Sequence, residues 1–300
     1  MLASQGTRER GVGSHLSSLI TDAEDPETFA RLGESLHTTG FAVFHMSAYA
    51  TALLDELCRE WLSFFASDVK SQYLSEPGSQ EGYFPHLTAD AASGRDRKEY
   101  FHVRPTGRYP AEVSDKARRF CEEAIQLGCG LLSWLQAQMP EPVAANLSMD
   151  LPAMMHGSTG SLLRIQHYLP LGESDQWTFV RAAAHRDANL LTLLPMPTQP
   201  GLQVQEASGH WRDVSRESGI LLVNAGLMLD RATQGYYPAV MHRVVSPAVP
   251  DGFPSRVSLP LFLHPHPDTP VDQGMTASTF VQQYVSQSRE RGWRPVPGGH

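Results

Sequence analysis

Two different hydrophobic periods divide the chain near residue 140. Before that point, apolar residues recur every three or four positions, which is the spacing of an amphipathic helix. After it, short apolar runs alternate with Gly, Pro, Asn and Asp, as in sheets whose strands are joined by turns. The pattern predicts an α-rich N-terminal part followed by a β-rich part.

Helices are predicted where a capping residue precedes an apolar stripe, as at Asp25-Pro26 and at Ser47. The predicted helices cover about 25–38, the stretch after Ser47, 111–138 and 277–291. The predicted strands are 40–44, 162–169, 190–194, 201–205, 219–223, 240–246 and 256–263. We therefore expect a mainly β protein with flanking helices, whose core is a jelly roll, the cupin-like double-stranded β-helix.

A metal site is predicted from three polar residues next to apolar strands. His185 and Asp187 are two positions apart, and on a strand they would point to the same face. His242 lies in a second strand-like run downstream. Two histidines and one carboxylate form the facial triad that binds non-heme Fe(II) and leaves coordination positions open.

A carboxylate-binding pair is predicted on the next strand. Arg256 and Ser258 again lie two positions apart on an apolar run. Arginine presents a rigid fork of donors that matches a carboxylate, and serine adds a hydroxyl donor. The complete set of five residues makes a structural histidine–aspartate pair without metal the weaker interpretation.

These segments resemble the isopenicillin N synthase-like branch of the Fe(II)/2-oxoglutarate dioxygenases. The resemblance rests on AHRDANLLTLL, GLQVQEASGHWRDV, GILLVNAGLMLDRATQGYYPAVMHRVV and SRVSLPLFLHP, which together cover most of residues 160–265. It implies that His185, Asp187 and His242 bind iron and that Arg256 with Ser258 binds the distal carboxylate of 2-oxoglutarate. It also implies O2 as the oxidant, with succinate and CO2 as products.

The resemblance assigns further residues to the site. Arg164, Gln166 and Tyr168 share one face of the predicted strand 162–169. In relatives this strand supplies an amide and a tyrosine that bind 2-oxoglutarate, which implies that Gln166 and Tyr168 do so here. Two groups of residues are candidates for substrate contact. In relatives, the loops that match Tyr83, Phe84, His86 and His102 approach the mouth of the active site. Arg104 and Arg181 could pair with an anionic group of the substrate.

An intact triad favours hydroxylation, desaturation or ring closure of a small amino-acid-like or secondary-metabolite substrate. Two alternatives stay open. The first is an Fe(II) oxidase of the isopenicillin N synthase type that does not use 2-oxoglutarate. The second is a non-catalytic cupin-like binding protein.

Composition narrows the partners. The chain has 300 residues, 41% of them hydrophobic, and a net charge of −8, which disfavours a nucleic-acid partner. No apolar run is long enough for a membrane span. The three cysteines show no metal-type spacing and are interpreted as reduced thiols of a cytoplasmic protein. The oligomeric state cannot be read from the sequence.

The expected organisation has four parts. They are a tail over 1–20, an α-rich region over 21–150, the jelly-roll oxygenase core over 151–270, and a helix with a tail over 271–300.

Overall fold

The structure, a computed structural model, describes residues 18–21, 25–77, 79–85, 98–170, 180–215, 217–246 and 255–290. The helices are α1 (Pro26–Thr39), α2 (Ala48–Ala66), α3 (Lys116–Gln138), α4 (Glu141–Ala144), α5 (Leu227–Ala232) and α6 (Ala277–Glu290), with 3-10 turns at Asp68–Tyr73 and Ala153–Met155. None of these helices is long and apolar enough to cross a membrane.

The strands lie mostly in the second half of the chain. They are β1 (Phe41–His45), β2 (Gly82–Phe84), β3 (Lys98–Val103), β4 (Leu162–Tyr168), β5 (Val180–His185), β6 (Leu191–Pro195), β7 (Leu202–Gln205), β8 (Trp211–Asp213), β9 (Ile220–Ala225), β10 (His242–Val245), β11 (Arg256–Ser258), β12 (Leu261–Leu263), β13 (Pro270–Asp272) and β14 (Met275–Thr276).

Two antiparallel sheets form the double-stranded β-helix that the sequence predicts. In the major sheet the order is β1-β9-β6-β12-β4-β3-β2, with β11 also paired to β4. The minor sheet has the order β5-β10-β7-β8. A small apolar cluster joins the sheets, with members from both: Ala182, Leu202, Ile220, Leu222 and Val244.

The helices cover the outer face of the major sheet and bury the larger core. Trp61 of α2 is fully buried, with its ring centroid 5.1 Å from that of Phe101 on β3. Burial of such apolar surface is the main force that holds helices to a sheet. The inner face of the major sheet is left free for polar side chains.

Local signals explain the helix starts. The Asp25 side chain accepts hydrogen bonds from the backbone N–H groups of Glu27 and Thr28, and Ser47 caps α2 through the N–H of Ala50. The third helix starts at Lys116, later than the predicted residue 111. The prediction was wrong there because the apolar stripe continues into Val113, while Ser114 is held outside the helix by Glu60.

The predicted strand over 256–263 is two strands, β11 and β12. Pro260 lies between them, and proline has no N–H group to donate to a neighbouring strand. The carbonyl of Pro260 still accepts from the N–H of Arg164 at 2.9 Å, so both strands stay on β4. The predicted boundary between an α-rich region and a jelly-roll core near residue 150 stays a prediction. Strands β1 and β3, which precede residue 150, pair with β9 and β4, which follow it.

Candidate functional site

Three potential metal ligands meet between the two sheets. His185 ends β5 and lies directly opposite His242 at the start of β10. Asp187 follows β5 in the loop to β6, so it does not share a strand with His185 as the sequence suggested. The Nε2 atoms of both histidines are 3.6 Å from Oδ1 of Asp187, and the three ligand atoms lie within 4.8 Å of one another.

Both imidazoles are oriented for metal binding. Nδ1 of His185 is 2.7 Å from the carbonyl oxygen of Ala183, and Nδ1 of His242 is 3.2 Å from that of Val240. A proton on Nδ1 donates to each carbonyl and leaves the Nε2 lone pair for a metal. Burial and the neighbouring His242 lower the pKa of His185 to about 4, which favours the neutral form that binds metals.

Asp187 is held by side chains from two strands of the major sheet. Its Oδ2 accepts from the Thr192 hydroxyl at 2.6 Å and from the Asn224 amide at 3.1 Å, which leaves Oδ1 facing the histidines. Burial opposes ionisation, but the two histidines and these hydrogen bonds lower the pKa of Asp187. The carboxylate is therefore present in the charged form that a metal needs.

The backbone around Asp187 is anchored from outside the sheets. The carbonyl of Asp187 accepts from the N–H of Leu227 at 2.7 Å, and the carbonyl of Arg186 accepts from the Tyr284 hydroxyl at 2.9 Å. Helices α5 and α6 thus both contact the short segment that carries the first two ligands.

A buried guanidinium defines a second part of the site. Arg256 is 2% exposed; its Nε donates to the carbonyl of Gln199 at 3.1 Å, and its Nη1 has no hydrogen-bond partner among the described residues. Its guanidinium lies 5.1 Å from the ring centre of Tyr168, its partner on β4. Burying an N–H group without an acceptor is costly, and one carboxylate would satisfy it.

Ser258, Gln166 and Tyr168, the other predicted 2-oxoglutarate contacts, lie on the same pair of strands as Arg256. Ser258 lies opposite Gln166 across β11 and β4, and the Tyr168 hydroxyl donates to Gln166 Oε1 at 3.4 Å. Arg181 lies 5.2 Å from the same tyrosine ring, and its Nη2 donates to the carbonyl of Leu169. Burial is the main cause that lowers the pKa of Arg181 to about 10.

The other predicted substrate contacts divide between the two faces of the sheet. Phe84 and His102 lie on the inner face, with ring centroids 4.8 Å apart. Tyr83 points to the opposite face, where its hydroxyl donates to buried Glu99 at 2.5 Å. Arg104 donates to the carbonyl of Thr159 at 2.6 Å, and His86 lies outside the described residues.

Four residues of the inner face are absent from the predicted site: Thr192, Asn224, Arg164 and His264. A weak signal was available for the first three. Thr192 and Asn224 are polar positions inside otherwise apolar strands, and Arg164 shares a face with Gln166 and Tyr168.

Comparison with known proteins identifies the family. The family description "2OG-Fe(II) oxygenase superfamily" matches residues 159–265. A crystal structure from Shewanella oneidensis, described as an oxygenase, is 37% identical and covers 89% of this chain and 96% of its own, with a TM-score of 0.79. Scopoletin 8-hydroxylase from Arabidopsis thaliana is 26% identical over 264 residues, 85% of this chain and 71% of that enzyme. Neurospora crassa T7H in complex with alpha-KG shares the fold, at 21% identity and a TM-score of 0.69, with 86% of this chain and 90% of its own covered.

The chain belongs to the 2OG-Fe(II) oxygenase superfamily. It is accordingly an oxidoreductase, a dioxygenase that depends on Fe(II) and 2-oxoglutarate and acts on a small molecule. The residues present fit both groups: an N,N,O ligand set for Fe(II), and a buried guanidinium with an unsatisfied donor for a carboxylate.

Proposed function

We propose that this dioxygenase hydroxylates a small organic substrate, and that His185, Asp187 and His242 are its iron ligands. The observation that carries the proposal is the approach of their three ligand atoms to within 4.8 Å. When bound, Fe(II) and 2-oxoglutarate supply the oxidation, in which O2 is consumed, 2-oxoglutarate yields succinate and CO2, and the substrate gains an oxygen atom.

The chain's own residues position and isolate the reactants. Nε2 of each histidine and Oδ1 of Asp187 would hold the Fe(II). Arg256, Ser258 and Tyr168 bind the distal carboxylate of 2-oxoglutarate, and Gln166 orients the tyrosine hydroxyl. The apolar cluster between the sheets includes Ala182 and Val244, which lie on the same two strands as the histidines and hold those strands against the major sheet.

We further propose that the protein belongs to the isopenicillin N synthase-like branch and works in the cytoplasm. The spacing of Arg256 and Ser258 supports the first proposal. The free thiols of Cys58, Cys121 and Cys129 support a reducing compartment.

A combined assay of O2 uptake and succinate release tests the function. We expect wild-type protein to release succinate only with Fe(II) and 2-oxoglutarate, and Asp187→Ala to lose both activity and Fe(II) binding. Arg256→Met should raise the KM for 2-oxoglutarate at least about 30-fold, since it removes a buried charge partner. Arg212→Met, at a 71% exposed side chain of β8, is the matched control.

Other outcomes would identify the alternatives. O2 uptake that proceeds without 2-oxoglutarate would indicate an oxidase of the isopenicillin N synthase type. A protein that binds no Fe(II) under anaerobic conditions would be a non-catalytic binding protein.

A further inference from the structure

Arg164 is fixed on the inner face of the major sheet by three neighbours. It is half-buried on β4, and its Nε donates to Nε2 of His102 at 2.7 Å. Its guanidinium lies 4.9 Å from the ring centre of Tyr100 and 5.0 Å from that of Phe262. Nε has its hydrogen-bond acceptor, and the two rings lie against the guanidinium. The terminal nitrogens Nη1 and Nη2 are therefore the donors that remain for a ligand.

His102 acts as a neutral acceptor for this arginine. Its Nδ1 is 2.8 Å from the carbonyl oxygen of Gln80, so the ring proton lies on Nδ1 and Nε2 carries the lone pair. Burial and the charge of Arg164 both lower the pKa of His102, which keeps the ring neutral. The histidine therefore orients the guanidinium without neutralising its charge.

No anion from the described part of the chain balances Arg164. Among those residues no carboxylate lies within ion-pair distance of it, and no acceptor is hydrogen-bonded to Nη1 or Nη2. The guanidinium is a flat fork of donors whose geometry matches a carboxylate. A half-buried fork that is oriented but unpaired indicates an anionic ligand.

Arg164 lies near the candidate metal centre. Phe262, which its guanidinium covers, is opposite Thr192 on the adjacent strand β6, and Thr192 holds Asp187. Phe262 is in register with Leu162, and Arg164 lies two residues further along β4. Two strand spacings across and two residues along therefore separate the backbones of Arg164 and Thr192 by about 12 Å.

Arg164 and Arg256 lie at different places on the inner face. Arg256 lies opposite Tyr168, four residues along β4 from Arg164, so their backbones are about 13 Å apart along the strand. Their guanidiniums contact different rings, Tyr100 and Phe262 for Arg164 and Tyr168 for Arg256, so the two side chains are placed to serve different anionic groups. Arg256 takes 2-oxoglutarate in the proposed function, which leaves Arg164 for the primary substrate.

The surroundings of Arg164 are apolar and aromatic. Phe84 stacks on Tyr100 with ring centroids 4.7 Å apart, and both side chains are buried. Such rings offer contact area to an apolar ligand but no charge to oppose an anion.

We propose that Arg164 binds the carboxylate of the primary substrate, and that this substrate is a small organic acid with an apolar body that packs on the aromatic side chains beside the iron. The inference rests on the proposed function, since it needs the iron and 2-oxoglutarate sites to be where that function puts them. Arg164 is a specificity-determining residue in this view, and His102 is its positioning residue.

Matched pairs of acids and neutral derivatives test the proposal. The probes are cinnamate with methyl cinnamate, phenylacetate with phenylacetamide, and hexanoate with hexanamide. Each is titrated under anaerobic conditions into protein loaded with Fe(II) and 2-oxoglutarate, and binding is followed by the visible charge-transfer band of that complex. We expect wild-type protein to bind at least one acid and to bind its neutral partner at least about 30-fold more weakly.

Three variants assign the preference to Arg164. Arg164→Met should remove the preference for acids, Arg164→Lys should keep part of it, and Arg212→Met should retain it in full. Thermal unfolding of each variant shows whether the fold is intact, and Arg164→Lys provides the test if Arg164→Met does not fold.

The proposal is wrong if the wild-type complex binds no acid of the panel or prefers the neutral derivatives. It is equally wrong if a folded Arg164→Met protein keeps the preference. Wild-type protein that forms no complex with Fe(II) and 2-oxoglutarate would instead overturn the proposed function, and the loading step alone reveals that result.

Discussion

The Thr192 hydroxyl determines how Asp187 presents its carboxylate. It donates to Oδ2 at 2.6 Å and itself accepts from the Asn189 amide at 2.9 Å. Removing such support around a metal ligand typically weakens metal affinity by about 10- to 100-fold. We expect that loss for Thr192→Val in an anaerobic Fe(II) titration, while Thr192→Ser, which keeps the hydroxyl, should bind nearly as wild type. Equal affinity of all three proteins would contradict the role.

Glu99 should make stability depend on pH in the acid range. Burial alone would raise its pKa, but hydrogen bonds from His167, Tyr83 and Lys70 outweigh burial and lower the pKa from 4.5 to about 2. A lowered pKa stabilises the fold above the unfolded value, and that stability is lost as pH falls from 4.5 towards 2.

Between pH 4.5 and pH 2, we therefore expect wild-type protein to lose about 3 kcal/mol more of its free energy of unfolding than Glu99→Gln loses. Urea unfolding at several pH values measures the difference. Exposed Glu34→Gln is the control and should follow the wild-type curve. Parallel curves for wild type and Glu99→Gln would contradict the assignment.

At the residue scale, the sequence indicates which side chains could bind a metal or a carboxylate. It does not indicate which face of the sheet a side chain occupies, because that depends on strand register. Two histidines, one aspartate and an Arg-x-Ser pair are recognisable without coordinates. Tyr83 was a candidate substrate contact, yet its direction depends on pairing with Phe101 rather than on its own neighbours. A shift of one residue would have exchanged the faces of Tyr83 and Phe84.

The junction between β9 and α5 constrains the segment that holds the ligands. A Cβ atom on Gly226 would lie 2.2 Å from the backbone oxygen of Asn189, which is a contact that requires backbone movement. Asn189 in turn supports Thr192. The close approach of two backbones therefore requires glycine at this position.

Gly226→Ala should lower both stability and Fe(II) affinity. We expect a loss of about 1–3 kcal/mol in urea unfolding, typical of an overpacked site, together with weaker Fe(II) binding. Gly209→Ala is the control for Fe(II) affinity: its Cβ would meet nothing within 4 Å, and its φ of +85° strains alanine, so it should lose stability but keep Fe(II) binding. Retained Fe(II) affinity in Gly226→Ala would show that the junction does not position the ligands.

Element boundaries were predictable where a local signal exists. The caps at Asp25 and Ser47 predicted their helices because the hydrogen bonds form within one turn. The break at Pro260 was missed because the apolar run continues across it, and only pairing with β4 shows which residues remain in the sheet. Strand β8 has only three residues, and β5 contains three alanines, which have low strand propensity, so neither is distinguished from its turns by sequence.

At the scale of the whole molecule, ligand binding should stabilise the fold. The two histidines come from the minor sheet, Asp187 from the loop after β5 and Arg256 from the major sheet, so an unfolded chain offers no preformed site. A ligand present at 100 times its dissociation constant, whether Fe(II) or 2-oxoglutarate, should add about 2.7 kcal/mol to the free energy of unfolding. Thermal unfolding should therefore shift upwards with both ligands and return to the starting value after chelation.

Variants separate the two contributions. Arg256→Met should keep the shift caused by Fe(II) and lose the part that 2-oxoglutarate adds, while Asp187→Ala should lose both. A 2-oxoglutarate shift that survives in Arg256→Met would contradict the carboxylate site.

The overall architecture followed from the number of short strands, but the order of the strands did not. Periodicity reports which residues are buried and not which strand is the neighbour, so the pairing of β1 with β9 and of β4 with both β11 and β12 needed the structure.

The hydroxyl of Tyr284 connects α6, a helix outside the two sheets, to the segment that carries two of the proposed iron ligands. It is bonded to the carbonyl of Arg186, the residue between two of the proposed iron ligands. A purification tag fused behind α6, or a crystal contact that tilts this helix, would therefore pull on the iron ligands themselves. Where two preparations differ only beyond residue 290, their iron contents should be measured before their turnover numbers are compared.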